Sequence, residues 1–314
     1  MKKARALTSV LLADYDYVYV TEEIDSESET SSNGEDEPFE CLDAVKGNQQ
    51  WNQQHYLSKN QIQKAWKYLQ EHGISAGGSS SVTVAVIDTG VDYTHPDLAT
   101  SMWVNRAEIP GNGIDDDNNG YIDDIYGANT TGSSYDHTGD PMDDHGHGTH
   151  VAGIIGAANN KEGIVGIAYN VKIMAVKAGQ ATGVFNQSDI AEAILYAYEM
   201  GADVINMSFG GSACSIAVQD ALTTAYTTAT LVAAAGNNGL PNEPSPYSSL
   251  PALPSYPAAL SYVIGVASIN ANGVESAFSN WDVFAFNSSE YEIYAPKFKE
   301  LGLTYFYALI DDAV

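Results

Sequence analysis

The chain has 314 residues and carries 40 Asp plus Glu against 13 Lys plus Arg, a formal net charge of −27. With 17% charged and 44% hydrophobic residues it falls outside the disordered class, and its length is ample for a buried core. Bases this scarce cannot neutralise phosphates, which argues against nucleic-acid and anionic-membrane partners, whereas an acidic surface attracts divalent cations.

The N-terminus, Met1-Lys2-Lys3-Ala4-Arg5, has a basic start. The apolar stretch after it is interrupted by Thr8 and Ser9 and stopped by Asp14, so no working export signal is expected. No apolar run reaches the ~18 residues of a membrane span. Residues 15–20 alternate like a short strand, and residues 21–40 hold nine acids and no base, the composition of a solvated linker. An amphipathic helix ends near residue 69, with Ile62, Ala65, Trp66 and Leu69 on one face. After the glycine and serine run at 77–81, strands are expected at 82–87, 171–176, 203–207, 231–235 and 262–267. Helices are expected at 148–158, 189–201 and 216–226. Near-continuous apolar strands separated by helices predict an α/β fold, a parallel sheet with helices on both faces. Cys41 and Cys214 are too few for a disulfide framework, leaving one bridge or two thiols, and no zinc spacing is present.

Three segments carry the chemistry. The first is Val84-Ala85-Val86-Ile87-Asp88-Thr89-Gly90, an Asp at the carboxyl end of a buried strand, where open α/β proteins bind ligands. The second is Asp144-His145-Gly146-His147-Gly148-Thr149-His150, opening a helix. The third is Ala233-Ala234-Ala235-Gly236-Asn237-Asn238-Gly239, preceded by Asn206-Met207-Ser208-Phe209-Gly210-Gly211. In this order and with these flanks the chain resembles the subtilisin-like serine proteases, the subtilases, from about Trp51 to about Pro296.

The resemblance implies roles. Asp88 would hold the imidazole of His147, which would act as general base and then acid. Asn237 would donate to the oxyanion, and Ser208, Phe209 and Gly210 would form the edge on which an extended peptide adds as a strand. His150 would be a buried packing residue and His145 a loop residue. Asp92, Asp143 and Asp144, near the cleft, would favour basic substrate side chains. Peptide or protein substrates, a monomeric state and an extracellular setting follow from the same likeness.

The family's nucleophile stands in Gly-Thr-Ser-Met-Ala, and no such segment occurs in this sequence. Thr100-Ser101-Met102 precedes the histidine and lacks the flanks. Ser279, in Ala277-Phe278-Ser279-Asn280, matches a structural segment before the nucleophile, and Ser288 and Ser289 belong to a loop with a possible glycosylation sequon at Asn287. Family likeness ends near Pro296, and residues 297–314 look unrelated, as after a frameshift, a premature stop or an alternative tail. Residues 1–20 resemble the last part of a subtilase propeptide, with an unrelated extension as the other reading. The expected organisation is therefore a propeptide remnant at 1–20, an acidic linker at 21–50, an incomplete peptidase domain at 51–296 and a tail at 297–314. Such a chain would be a protease copy that is inactive alone, or else a non-catalytic product retaining peptide and calcium binding.

Residues 115–124, with Asp115, Asp117 and Asn119 at alternate positions and then Gly120, follow the first half of an EF-hand loop. Tyr121 would offer its carbonyl and Asp123 the ninth-position ligand. The twelfth position is Tyr126, so the bidentate ligand must come from elsewhere, with Asp124 the candidate. Five carboxylates in ten residues without a base repel one another unless a cation lies among them, which favours calcium. A second calcium site follows from the resemblance alone: Asp97, with Asn160 as side-chain ligand and Glu162 and Ile164 as carbonyl ligands.

Overall fold

The computed structural model describes residues 18–21, 54, 56, 57, 60–132, 139–240, 254–268, 276 and 278–280. The acidic linker beyond Thr21, Trp51, Cys41, the Asn287 sequon with Ser288 and Ser289, and the tail at 297–314 lie outside the described residues.

A six-stranded sheet forms the frame. Its strands are β2 (Thr83–Asp88), β3 (Gly127–Asn129), β4 (Lys172–Lys177), β6 (Val204–Met207), β8 (Thr230–Ala234) and β9 (Ile264–Val266), in the order β3-β4-β2-β6-β8-β9. All five pairings are parallel, so every carboxyl end faces the same edge. In register, Asp88 lies opposite Lys177, and Ile87 opposite Met207.

Both faces are covered, which is why the central strands read as apolar runs rather than as alternation. Ala85 and Ile87 of β2, with Met174 and Val176 of β4, join one buried cluster with helices α3 (Gln187–Glu199) and α4 (Ile216–Ala225). Val84, Val86, Ile173 and Ala175 point the other way, into a cluster with Val151 and Ala152 of α2 (His147–Gly156). Helix α1 (Ile62–Glu71) buries Ile62, Gln63 and Trp66, while Ala65 and Leu69 of the expected face are half-buried. Its anchor is the Trp66 indole, which donates to the Ile167 carbonyl at 3.0 Å and stands edge-on to Tyr169.

Element positions agree with expectation within one to three residues, and the strand of β2 extends to include Asp88 itself. Three short strands have no sequence signal. In β3, Gly127 has φ 136°, and a Cβ there would lie 1.7 Å from the Ala175 carbonyl oxygen, so only glycine lets this segment lie along β4. The other two, β5 (Val184–Asn186) and β7 (Phe209–Gly210), flank β1 (Val18–Thr21) in a separate three-stranded antiparallel sheet, β5-β1-β7.

Phe185 of β5 and Phe209 of β7 are fully buried and stack at 4.6 Å, locking the two flanking strands to the core. Phe185→Ala is expected to cost about 3–5 kcal/mol, read as a lowered urea midpoint. A cost under about 1 kcal/mol would remove this contact as the anchor of the two strands.

Candidate active site

Asp88 is fully buried at the end of β2. One oxygen, Oδ1, accepts from the Thr89 amide at 2.7 Å and lies 2.7 Å from His147 Nδ1. With the carboxylate ionised, Nδ1 is the donor, which leaves Nε2 as the basic nitrogen. The His147 side chain, the first residue of α2, is 8% exposed. Close approach of helix and strand requires Gly148, where a Cβ would meet the Gly90 carbonyl oxygen at 2.1 Å and Asp88 Cβ at 2.9 Å.

The helix start is held by side chains from elsewhere. Thr89 Oγ1 accepts the Gly148 amide at 3.0 Å. Asp143 accepts from the Thr149 amide and hydroxyl at 2.9 and 2.6 Å, from the His145 and Gly146 amides at 3.0 Å each, and from the Thr89 hydroxyl at 2.9 Å. Lys177, buried at the end of β4, donates its ammonium to the Thr89 carbonyl and to Asp144, each at 2.5 Å. The three carboxylates expected near the cleft all carry hydrogen bonds in the structure. Asp143 is committed to α2, Asp144 to Lys177, and Asp92 to the amide and hydroxyl of Thr94. His145 is in a loop as expected, but His150 is exposed rather than buried.

Asn237 lies three residues past β8, at the same sheet edge as Asp88. Its loop is shaped by Asn280, which is fully buried. Asn280 Oδ1 accepts from the amides of Asn238 and Leu240 at 2.9 and 3.3 Å, and its own amide donates to the Gly236 carbonyl at 2.7 Å. Gly236 has φ 105°, and a Cβ there would lie 2.5 Å from Asn280 Nδ2. Sequence reading singled out Ser279 and passed over its neighbour.

Ser208 links β6 to β7, and its hydroxyl accepts from the Asn206 amide group at 2.9 Å. Phe209 and Gly210 form β7, whose free side carries β1: Thr21 lies opposite Phe209 and Val20 opposite Gly210. On its other side β1 pairs with β5, Tyr19 opposite Phe185.

The acidic loop is brought together only in part. Asp115 and Asp117 converge with Glu108, each offering one carboxylate oxygen within 4.8 Å of the others. Glu108, 6% exposed, was missed because it lies outside the EF-hand-like run. Its Oε1 accepts the Asp116 and Asp117 amides at 2.8 and 3.1 Å, holding the loop. Asp123 does not join the group: φ at 55° turns its carboxylate onto the amides of Gly111, Asn112 and Gly113. Asp124 is also turned away. It is fully buried and accepts from Asn105 at 3.0 Å, Asn119 at 2.8 Å and the Tyr196 hydroxyl at 2.6 Å. Burial raises its carboxyl to about 6 despite those bonds. The Tyr121 side chain is buried, with its hydroxyl donating to Glu192 at 2.8 Å.

Asp97, 5% exposed, meets the 159–164 loop as expected. Its Oδ1 accepts from Asn160 Nδ2 at 3.0 Å and its Oδ2 from the Ile164 amide at 3.1 Å. Gln54 clamps the next residue, Val165, through both carbonyl and amide at 2.9 Å.

The fold and site are thus a parallel α/β sheet with a buried Asp–His pair at its carboxyl edge and a small antiparallel sheet beside it. Residues 79–301 match the model of the subtilase family (peptidase S8), and the chain belongs to that family. It is 40% identical over 164 residues to subtilisin-like protease 1 of Plasmodium falciparum, covering 52% of this chain and 22% of that protein. It is 38% identical over 208 residues to a thermophilic serine proteinase of Bacillus sp. strain AK1, covering 65% and 42%. To subtilisin DY of Bacillus licheniformis it is 33% identical over 218 residues, covering 69% and 65%. The chain thus spans less than half of the length of the first two relatives. Among the described residues no helix is long and apolar enough to cross a membrane.

Asp124 generates a pH dependence. Its carboxyl binds a proton more tightly in the folded state, at about 6, than at its ordinary 3.8, so its contribution to stability falls as pH rises between those values. In EGTA, wild type is expected to lose unfolding free energy relative to Asp124→Asn from pH 4 to pH 6, with a constant difference above. Parallel curves across that window would remove the buried carboxyl as the cause.

Proposed function

We propose that this chain carries the acid–base and peptide-binding parts of a calcium-stabilised serine endopeptidase site. The observation that carries the reading is the 2.7 Å contact between His147 Nδ1 and Asp88 Oδ1 at the sheet edge that also bears Asn237. In this reading Asp88 fixes the imidazole tautomer and stabilises its charged form, and His147 Nε2 takes the nucleophile's proton and returns it to the leaving amine. The Asn237 carboxamide, on a loop pinned by Asn280, donates to the developing oxyanion. Peptide or protein substrates add as a strand along Ser208, Phe209 and Gly210, to a monomeric enzyme working outside the cell.

The antiparallel seating of β1 between β5 and β7 supports that edge as a strand acceptor, and supports residues 1–20 as a propeptide piece. It equally favours the alternative, a non-catalytic chain that binds peptides. The Gly-Thr-Ser-Met-Ala segment is absent from the 314 residues, so the chain as it stands has the base without its nucleophile. No turnover of casein and no fluorophosphonate labelling are expected. A labelled serine, with casein turnover abolished by His147→Ala, would overturn that expectation.

Calcium fits the donor chemistry: Glu108, Asp115 and Asp117 offer hard, convergent oxygens with no base among them. Asn119 stays near the group through its amide bonds to Asp115 and Asp117, and the second site would be built on Asp97, which Asn160 meets through its side-chain nitrogen. The ion would screen mutual repulsion and tie the 108–124 loop to β3, which follows it. EGTA is expected to lower the melting temperature, by an amount corresponding to about 4 kcal/mol if calcium is present at 1,000 times its dissociation constant. Asp115→Asn with Asp117→Asn should shrink the effect, and a melting temperature indifferent to EGTA would count against both sites.

A further inference from the structure

We infer that Asp143 is a positioning residue that holds the first turn of α2 so that the His147 imidazole stays in contact with Asp88. Gly146, the N-cap of α2, has no side chain, so the first-turn amides need acceptors from outside the helix. Asp143 supplies one through Oδ2, which takes the amide and hydroxyl of Thr149, two residues past His147. Its other oxygen, Oδ1, takes the Thr89 hydroxyl and the His145 and Gly146 amides.

Thr89 closes a circuit. Its hydroxyl oxygen accepts the Gly148 amide and its own amide donates to Asp88 Oδ1, the same oxygen that meets His147 Nδ1. A chain of hydrogen bonds therefore runs from Asp88 through Thr89, Asp143 and Thr149 into the helix that carries His147. Thr149 Oγ1 adds a brace to the strand side by accepting the Asp92 amide at 2.9 Å. Burial pushes the Asp143 carboxyl up, but donation from the Gly146, Thr149 and His145 groups outweighs it and holds the acid below its ordinary range. The lowered pKa favours the ionised carboxylate, whose hydrogen bonds are charge-assisted. In enzyme sites generally a displacement of about 1 Å can cost roughly 10²-fold in rate, which sets the precision to which such a register has to be held.

The inference rests on the Asp88–His147 pairing proposed above, and its test does not need turnover. The readout is the Nδ1–H proton resonance of His147 in the full chain, assigned by its loss in His147→Gln. Wild type is expected to show it far downfield and slowly exchanging. Asp143→Asn, which turns an acceptor toward the Thr149 amide into a donor, should broaden it away or speed its exchange about tenfold or more. Thr149→Val, which leaves the Asp143 charge in place, should do the same, and Thr149→Ser, which keeps the hydroxyl, should restore it. If Asp143→Asn unfolds, the contrast between Val and Ser at position 149 decides. A resonance unchanged in both variants, with only the melting temperature lowered, makes Asp143 a helix cap and overturns the inference. An effect in Asp143→Asn alone assigns it to charge and overturns positioning as well. Absence of the resonance from wild type would instead sink the Asp88–His147 pairing, and the inference with it.

Discussion

Everything at the site hangs on the contact between the end of one strand and the start of one helix. Asp88 is buried, its one ion-pair partner among the described residues is His147, and its Oδ1 already holds the Thr89 amide. That contact exists because Gly148 has no Cβ to strike Gly90 and because the N-terminus of α2 is satisfied from outside. Had the N-cap been Ser or Asp, the helix could have closed its own first turn. With Gly146 there, its capping is delegated to Thr89 and Asp143, and the delegation ties the helix to the strand.

The parallel sheet turns that local contact into a site. Because β2, β6 and β8 run the same way, Asp88, Ser208 and Asn237 arrive at one edge although the first and last are 149 positions apart in the chain. Fixed elements then hold each one. Lys177 braces Thr89, Asn280 shapes the Asn237 loop, and the Phe185–Phe209 stack keeps the strand-accepting flank against the core. Groups arranged in this way lose little on ordering at the moment of reaction, which is the physical advantage of building a site on strand ends.

Charge is arranged by the same economy of bases. The acidic loop uses backbone amides, not lysines, to hold its carboxylates: Glu108 takes those of Asp116 and Asp117, and Asp123 those of residues 111–113. Three carboxylates are left facing one another, a configuration that a divalent cation relieves and that monovalent salt only screens. Asp124, below them, is kept apart by Asn105, Asn119 and Tyr196 and remains close to neutrality at mildly acidic pH.

The alternation of apolar strands and helices, the positions of Asp88, His147 and Asn237 at element ends, and the acidic loop at residues 115–124 were all legible in the linear sequence. Each is recorded within a dozen residues: a buried strand as an unbroken apolar run, a helix by its period, an acidic loop by its run of carboxylates closed by glycine. What the tertiary structure alone decided are the partners that come from far away. Glu108 joins Asp115 and Asp117, Asn280 reaches the Asn237 loop, Lys177 reaches Thr89 and Asp144, and Asp143 reaches Thr89. Short strands such as β3, β5 and β7 belong with them, since two or three residues carry no period and pair only because a neighbouring strand is already there. Periodicity records which face of an element is buried; it does not record which distant residue is buried against it.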